Sequence, residues 1–469
     1  MSFPQRLSLM KRLAFLVALL LSSFVIPHSS FSAEGARPNV LFILVDDMGW
    51  GDLASNGGAA VPTPHMDALA REGTRFTQFC TASPICSASR CGLITGQFPA
   101  RWRITSFLQA RAANRECEQA DFLDPRAPSF VRAFKNAGYA TAHIGKWHLG
   151  GGRDVTDAPK FAVYGYDLGL GTYESPEPAA PLGLKTMPWS KEREPQQVAR
   201  HDRTRWMVDE TLAFVKKNAA QPWLVNLWFD DIHTPHVPSD EQLAGAGEGT
   251  GNAKYRAVLR ATDAQIGRLL AALRELKMDA NTIVILSGDN GPEPSFERKR
   301  TGGMRGMKWS LYEGGIRTPL VVRWPGVVPA TVNDTTVVAA VDFFPTLCAL
   351  AGVAAPSGVK FDGDDLSAVW KGGRQSRTTP LLWEYGRKPP NEGPGKIRAF
   401  PYPNEPDAKS PNVAIRDGDW KLLINADGTG AELHNLATDR SEAKNLAPEN
   451  PEITKRLTDA ALSWRKSLP

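Results

Sequence analysis

Three short apolar runs, each followed closely by polar side chains, constrain the fold of this chain more than any other feature. The runs cover residues 40–45, 223–229 and 282–286. Unbroken apolar runs of this length are typical of buried central strands in a parallel sheet. Apolar residues recur at helical spacing in three further segments, 130–137, 206–217 and 259–276. Strands that alternate with helices predict an α/β fold with helices on both faces of the sheet.

The ends of these runs carry side chains from which a site can be built. Asp46-Asp47 follow the first run, Asp289-Asn290 follow the third, and His233 and His236 lie shortly after the second. Ligands of such sheets bind beyond the carboxyl ends of the strands, so we expect the three ends to converge on one site. A single Asp pair is usually a turn or a helix cap. Two pairs of oxygen ligands at two strand ends favour a hard cation such as calcium or magnesium.

The two ends of the chain differ from its middle. Residues 1–33 combine a basic start, an apolar run that is short for a membrane span, and small residues. This is the layout of a cleavable secretory signal, so we expect an exported protein, periplasmic or secreted, with no membrane attachment after cleavage. From residue 379 onward, short apolar stretches are separated by Pro, Gly and Asp, and a helical pattern follows. We therefore predict a signal peptide (1–33), a large domain (34–378) and a small C-terminal α+β subdomain (379–469) made of an antiparallel sheet and one helix.

Composition and charge argue against nucleic acid as a partner. The 469-residue chain is 42% apolar and 22% charged, which is ordinary for a soluble globular protein. Its formal net charge is +5, but Arg6, Lys11 and Arg12 lie in the predicted signal peptide. Because the rest of the chain has no basic tail or run, we expect no nucleic-acid partner.

Segment 86–96 is the most specific part of the chain and reads Cys-Ser-Ala-Ser-Arg-Cys-Gly-Leu-Ile-Thr-Gly. It resembles the signature of the type I, formylglycine-dependent sulfatases, in which a cysteine or serine is followed two residues later by proline or alanine, then by serine and arginine. Segment 138–150, Gly-Tyr-Ala-Thr-Ala-His-Ile-Gly-Lys-Trp-His-Leu-Gly, resembles the second signature of that family. Further segments match in order and spacing: 233–236, 306–308, 313–319, 416–422 and 432–436. Within that family, the chain resembles the arylsulfatase and N-acetylgalactosamine-6-sulfatase group.

This resemblance implies both a fold and a reaction. The fold would be alkaline-phosphatase-like, with a large mixed, mostly parallel sheet flanked by helices and the small C-terminal antiparallel sheet plus helix. The reaction would be hydrolysis of a sulfuric ester, releasing inorganic sulfate from a sulfated carbohydrate or an aryl sulfate. Cys86 would be oxidised to formylglycine (3-oxoalanine) by a formylglycine-generating or anaerobic sulfatase-maturating enzyme during biosynthesis. One hydroxyl of the aldehyde hydrate would attack sulfur, and the second would expel sulfate.

The resemblance also implies the roles of individual residues. The expected ligands of one Ca²⁺, with Mg²⁺ as the alternative, are Asp46, Asp47, Cys86, Asp289 and Asn290. The expected catalytic residues are Cys86, Arg90, Lys146, His148, His233 and Lys308. Arg90 would hold the hydrate and the metal carboxylates, and the two lysines would neutralise the sulfate oxygens. His148 would accept a proton during sulfate release, and His233 would protonate the leaving alcohol.

Some positions depart from these patterns or leave alternatives open. Ala88 stands where the family more often has proline; conversion of Cys86 is still expected, to an extent left open. The cysteine count of five is odd, and we expect Cys91 to form a structural disulfide, with competition for Cys86 as the alternative. His143 is expected to be structural and His236 to face substrate. We also hypothesise that some residues of two groups line the pocket mouth, although ordinary solvated charge explains each as well: Arg101, Trp102, Arg103, Arg111 and Arg115, and then Arg298, Lys299, Arg300 and Arg305.

Two other functions compete with sulfate ester hydrolysis. A phosphoester or phosphonate ester hydrolase of the same superfamily would share the geometry of the reacting centre. A sulfate- or glycan-binding protein that has lost catalysis is disfavoured, because no expected catalytic position is missing from the sequence.

Overall fold

An eight-stranded mixed sheet, mostly parallel, lies at the centre of the protein in the computed structural model. The structure describes residues 37–58, 61–172, 174–182, 197–248, 252–293, 299–387 and 408–469. The strands in chain order are β1 (Asn39–Val45), β2 (Thr74–Phe76), β3 (Phe79–Cys80), β4 (Ala140–Gly145), β5 (Leu168–Gly171), β6 (Trp223–Phe229), β7 (Thr282–Gly288), β8 (Leu320–Arg323), β9 (Thr331–Asn333), β10 (Val338–Ala339), β11 (Leu381–Glu384), β12 (Val413–Asp417), β13 (Trp420–Ile424) and β14 (Glu432–Asn435). The order in the large sheet is β5-β4-β6-β1-β7-β8-β2-β9.

The three predicted apolar runs form the central strands β1, β6 and β7, which pair in parallel. Their carboxyl ends are in register, because Val45 is the partner of both Phe229 and Gly288. Strand β4 continues this edge, with Gly145 opposite Trp228. The segments that follow four neighbouring strands therefore leave the sheet at one level, which is the condition for a shared site.

Helices cover both faces of the sheet, as predicted. In chain order they are α1 (Pro64–Glu72), α2 (Cys86–Thr95), α3 (Arg111–Glu116), α4 (Phe130–Asn136), α5 (Arg203–Lys217), α6 (Asp240–Ala244), α7 (Ala253–Glu275), α8 (Glu313–Ile316), α9 (Phe343–Ala351), α10 (Ser367–Trp370) and α11 (Pro451–Lys466). Alternate residues of β1 enter different cores. Phe42 and Leu44 join the core that contains α4 and α9, while Leu41 and Ile43 join the core of α5 and α7.

The C-terminal part folds as predicted into a small antiparallel sheet, β11-β12-β13-β14, with helix α11 packed on it. Alternate apolar side chains of β12 and β13 form a core with Leu457 and Ala461 of α11, namely Val413, Ile415, Leu422 and Ile424. The predicted domain boundary at 378 and 379 stays a prediction. The predicted signal peptide lies outside the described residues. Within the described part of the chain, no helix has both the length and the apolar character needed to span a membrane.

Candidate active site

The ends of β1 and β7 bring three carboxylates together. One oxygen from each of Asp46, Asp47 and Asp289 lies within 4.8 Å of the others, and all three side chains are buried. Asp47 has a left-handed backbone (φ 59°), and its amide donates to Asp289 Oδ1 at 3.0 Å. Asn290 Nδ2 donates to Asp47 Oδ1 at 2.7 Å. The strand ends thus hold these side chains as one cluster.

This cluster fits a hard divalent cation. Asp46 Oδ1 and Asn290 Oδ1 are buried and accept no hydrogen bond from the described residues. Asp46 Oδ1 lies 3.4 Å from Arg90 Nη2 in an ion pair. Buried polar atoms are normally hydrogen-bonded, and these two oxygens beside two further carboxylates are suitable ligands for a calcium or magnesium ion. Burial, followed by the nearby Asp46 carboxylate, raises the pKa of Asp289 to about 7 although Arg90 acts against it. A further positive charge at this point would therefore stabilise the ionised form of these carboxylates.

Arg90 links the cluster to the neighbouring strand end. Its Nε and Nη2 donate to Asp289 Oδ2 at 3.0 and 2.7 Å, and its Nη1 donates to the Lys146 carbonyl at 2.7 Å. The guanidinium also lies over the Trp228 ring, 5.1 Å from its centroid. Arg90 is fully buried, so this planar fork holds the carboxylate and the Lys146 backbone in fixed positions.

Cys86 is the first residue of α2 and lies beside the acidic cluster. Its Sγ lies within 4.8 Å of a ligand atom of both Asp46 and His233, and Lys146 Nζ is 3.4 Å from it. Burial and then the Asp46 carboxylate raise the pKa of the Cys86 thiol. An unmodified thiol at this position is therefore protonated at neutral pH and is a weak nucleophile.

The segment after β4 places one lysine and one histidine beside Cys86. Lys146 Nζ donates to Asp46 Oδ2 at 2.5 Å. His148 has a left-handed backbone (φ 55°) and is buried, with its ring 6.4 Å from that of Phe107. Burial and then the positive charge of Lys146 hold the pKa of His148 well below its usual value. His148 is therefore neutral near pH 7 and able to accept a proton.

Lys308 and His233 contact each other and lie beside Asp47. Lys308 Nζ donates to Asp47 Oδ2 at 2.7 Å and to His233 Nε2 at 3.1 Å. His233 Nδ1 donates to the Thr234 carbonyl at 2.7 Å, which leaves Nε2 as the acceptor of the neutral ring. Burial and then Lys308 lower the pKa of His233 to about 3.

Backbone hydrogen bonds hold the segment after Asn290 against helix α8 and against the loop that carries Lys308. Gly291, directly after Asn290, donates its amide to the Gly315 carbonyl at 2.8 Å, and the Lys308 amide donates to the Pro292 carbonyl at 2.9 Å. A Cβ at Gly315 would lie 1.9 Å from the Ser310 carbonyl oxygen. Glycine is required here because the two backbones approach too closely for any side chain.

The structure thus brings together all ten residues that the sequence indicated for metal binding and catalysis. It also corrects other expectations. All five cysteines are free and buried, so the expected disulfide of Cys91 is wrong. Cys91 is five positions after Cys86 in one helix, so the two side chains lie on different helix faces.

His143 is enclosed by aromatic rings, in agreement with a structural role. His236 Nε2 interacts with the Ile232 carbonyl at 2.9 Å, and its role toward substrate stays a prediction.

The hypothesis of a basic pocket mouth is wrong for Arg300. Its buried guanidinium donates to Asp52 at 2.7 Å and to the Asp47 carbonyl at 2.7 Å, so it supports the metal-site backbone instead. Three other members form ion pairs with acidic neighbours: Arg101 with Asp362, Arg111 with Asp121, and Arg305 with Glu432. Arg298 lies outside the described residues.

Sequence reasoning missed Glu293. One of its oxygens lies within 4.8 Å of ligand atoms of Asp47 and His233, and Thr234 Oγ1 donates to its Oε1 at 2.7 Å. The only signal in the sequence is its position three residues after Asn290, in the segment that leaves the sheet.

Comparison with known proteins places the chain in a family. The family model described as Sulfatase matches residues 38–353, and the one described as N-sulphoglucosamine sulphohydrolase, C-terminal, matches residues 307–466. N-acetylgalactosamine-6-sulfatase of Canis lupus familiaris is 31% identical over an alignment of 394 residues, covering 77% of this chain and 72% of that protein. N-acetylgalactosamine-6-O-sulfatase of Bacteroides thetaiotaomicron is 26% identical, covering 90% and 92%. The solved structure of Ps i-CgsB in complex with k-i-k-neocarrahexaose has a TM-score of 0.72 at 25% identity, covering 91% and 92%.

A buried cluster of carboxylates with an arginine and two lysines, at the ends of parallel strands, is suited to binding and hydrolysing an anionic ester. Within the class of hydrolases of anionic esters, the chain belongs to the sulfatase family, with the alkaline-phosphatase-like fold expected from its sequence. It is a sulfatase, a hydrolase of sulfate esters.

Proposed function

We propose that this sulfatase releases inorganic sulfate from a sulfated carbohydrate or an aryl sulfate, with a formylglycine hydrate derived from Cys86 as nucleophile beside one Ca²⁺, or alternatively Mg²⁺. The observation that carries this proposal is the position of Cys86. It lies at the start of a buried helix, within 4.8 Å of Asp46 and His233 ligand atoms and 3.4 Å from Lys146 Nζ. A residue at that point is in reach of the metal ligands, of a fixed cation and of a proton carrier at once.

The proposed metal ligands are Asp46, Asp47, Asp289, Asn290 and residue 86 itself. A divalent cation bound there supplies positive charge beside the nucleophile and a sulfate oxygen. Arg90 keeps Asp289 and the Lys146 backbone in place, and Lys146 and Lys308 offset the charge of the sulfate oxygens. Because these groups are almost fully buried, their charges act with little screening by water.

The two histidines act in different steps: His233 in the transfer of sulfate to the hydrate, and His148 in the release of sulfate. One hydroxyl of the hydrate loses its proton and bonds to sulfur while the bond from sulfur to the leaving oxygen breaks. His233 delivers a proton to that oxygen, so the net change is one proton moved from the attacking hydroxyl to the leaving alcohol. The second hydroxyl then loses its proton to His148, sulfate departs, and the aldehyde at position 86 is restored. The anionic ester opposes the effect of Lys308 on His233, so substrate binding favours the protonated form that delivery requires.

The carbohydrate part of the proposal is supported by the relatives. Two relatives are named N-acetylgalactosamine-6-sulfatase and N-acetylgalactosamine-6-O-sulfatase, and one solved neighbour is a complex with k-i-k-neocarrahexaose. We also propose that the protein is exported, periplasmic or secreted, and meets a formylglycine-generating or anaerobic sulfatase-maturating enzyme during biosynthesis. The basis is the sequence pattern of residues 1–33 and the signature at 86–96.

Mass spectrometry of the peptide that contains Cys86, from protein made together with a maturation enzyme, tests the mechanism. We expect an aldehyde at position 86 in active protein and loss of nearly all activity in Cys86→Ala. Cys91→Ala is the matched control, since it removes a buried thiol in the same helix and is expected to keep the aldehyde. An intact Cys86 thiol in fully active protein would contradict the proposal.

Paired esters distinguish the competing activity. Turnover of 4-nitrophenyl sulfate, 4-nitrophenyl phosphate and phenyl phosphonate esters is compared in the same preparation. We expect the highest kcat/KM for the sulfate. A preference for either phosphorus ester would favour the phosphoester or phosphonate ester hydrolase instead.

A further inference from the structure

Glu293 is a carboxylate on the outer side of the reacting centre. The inner groups Lys308 and Asp47 are 3% and 1% exposed, whereas the side chains of Glu293 and His233 are 15% and 14% exposed. Glu293 Oε1 lies 4.0 Å from Lys308 Nζ. Substrate approaching from solvent therefore meets Glu293 and His233 before it reaches the buried cations.

A hydrogen bond holds one of its oxygens. Oε1 accepts the hydrogen bond from Thr234 Oγ1 at 2.7 Å, which fixes the orientation of the carboxylate. The Glu293 side chain is 15% exposed, so solvent reaches it. A carboxylate that is held in one orientation and is partly exposed can accept a hydrogen bond from a ligand.

The position of Glu293 beside His233 indicates which part of the substrate Glu293 would contact. In the proposed function, on which this inference rests, His233 protonates the leaving oxygen. Glu293 has an oxygen within 4.8 Å of a His233 ring nitrogen and is more exposed than Lys308, so it lies on the side of the leaving alcohol. A fixed negative charge on that side attracts hydroxyl and amide N–H donors and repels a second sulfate or carboxylate.

We propose that Glu293 determines specificity by selecting sulfate esters whose leaving group has a hydroxyl or amide N–H next to the sulfated position. It rejects esters with a second anionic group at that position. The substrate class is then a sulfated sugar with one sulfate near the cleaved bond, and aryl sulfates react without this contact. Glu293 acts on the alcohol part of the substrate and takes no part in the transfer to sulfur.

Three variants and three probes test this assignment. The variants are Glu293→Ala, Glu293→Gln and Thr234→Val, and the probes are N-acetylgalactosamine 6-sulfate, N-acetylgalactosamine 4,6-disulfate and 4-nitrophenyl sulfate. Loss of a charge-assisted hydrogen bond corresponds to roughly a tenfold or larger decrease. We expect Glu293→Ala to lower kcat/KM by that factor on the monosulfated sugar and by less than about threefold on the aryl sulfate. Thr234→Val keeps the charge but frees its orientation, so we expect a smaller loss, again on the sugar alone.

Glu293→Gln keeps the shape and removes the charge. We expect it to raise the turnover of the disulfate relative to the monosulfate by about tenfold. Equal losses on sugar and aryl sulfates in Glu293→Ala would overturn the inference, because they would mean that Glu293 acts only through Lys308 and His233. An unchanged ratio of the two sugar sulfates in Glu293→Gln would also overturn it. Absence of turnover of every probe by the wild-type protein would instead overturn the proposed function, and with it this inference.

Discussion

His143 lies in β4, three residues before Lys146, and is surrounded by aromatic rings. Its ring stacks on Phe161 at 5.0 Å and meets the edge of Trp228 at 5.0 Å, and Nε2 lies 3.2 Å from the Gly145 carbonyl. The residue is fully buried. Burial and then the positive charge of Arg90 lower its pKa to about 3. A histidine inside a signature segment thus serves the packing of the site and not the chemistry.

The first prediction concerns the acid sensitivity that His143 confers. Its folded-state pKa of about 3 is below the unfolded value, so its contribution to stability is present above pH ~6.5 and is lost as the pH falls toward 3. At pH 5 the loss is about 2 kcal/mol. We measure the free energy of unfolding in urea at pH 7.5 and at pH 5.0. We expect it to decrease by about 2 kcal/mol less in His143→Phe than in the wild type.

Phe161→Leu is the control for this measurement. It disturbs the same aromatic surroundings without removing a titratable group, so we expect lower stability with an unchanged pH dependence. Parallel pH curves for His143→Phe and the wild type would show that His143 accepts a proton in the folded protein.

At the scale of elements, helix α8 connects the active site to the C-terminal sheet. Glu313, its first residue, accepts from Lys421 Nζ of β13 at 2.9 Å, and Lys421 also pairs with Glu442 at 2.9 Å. These side chains are fully buried. The same helix places Gly315 against the Lys308 loop. The C-terminal sheet therefore supports the loop that carries a proposed catalytic lysine.

The second prediction is that Lys421→Met destabilises the protein strongly and also lowers kcat/KM. Removing one partner of a buried ion pair leaves uncompensated charge and costs about 3–5 kcal/mol. The matched control is Lys444→Met, since Lys444 pairs with Glu449 on the surface of the same part of the chain. An exposed pair contributes about 1 kcal/mol or less. Urea unfolding measures the free energy of unfolding of both variants. An equal decrease in Lys421→Met and Lys444→Met would contradict the role assigned to Lys421.

At the scale of the whole molecule, the site depends on segments that are far apart in the chain. Asp46 follows β1 and Asp289 follows β7, and the register of these strands brings the two carboxylates to one level. Four strands reach this level, and each contributes a segment that faces the same space. A bound cation would therefore connect distant parts of the chain and stabilise the folded state as a whole.

The third prediction is that calcium raises the melting temperature. A ligand that binds only the folded state at 100 times its Kd adds about 2.7 kcal/mol, which we expect to appear as a shift of about 3 °C or more. Scanning calorimetry with a chelator and with excess calcium measures it. Asp47→Asn is expected to abolish the shift, whereas Asp427→Asn, on the surface, is expected to keep it. A full calcium shift in Asp47→Asn would contradict the proposed ligand set.

The sequence by itself determined the local features of this protein. Apolar runs predicted β1, β6 and β7, since a strand that is buried on both faces needs apolar residues along its whole length. A metal site was predicted from the acidic pair at 46–47 and the acid–amide pair at 289–290. The nucleophile was predicted from the resemblance of residues 86–90 to the sulfatase signature. Both predictions were possible because each pattern consists of residues that are neighbours in the chain.

Only the tertiary structure decided which distant residues meet. Lys308 contacts Asp47, Arg300 supports the Asp47 backbone, and Glu293 lies beside Thr234. These contacts depend on the strand order β6-β1-β7, which places segments next to each other that are far apart in sequence. The expectation of a basic pocket mouth was wrong for Arg300 for that reason. Whether a charge is solvated, buried in a pair or open to substrate is a property of its surroundings, and the fold supplies those surroundings.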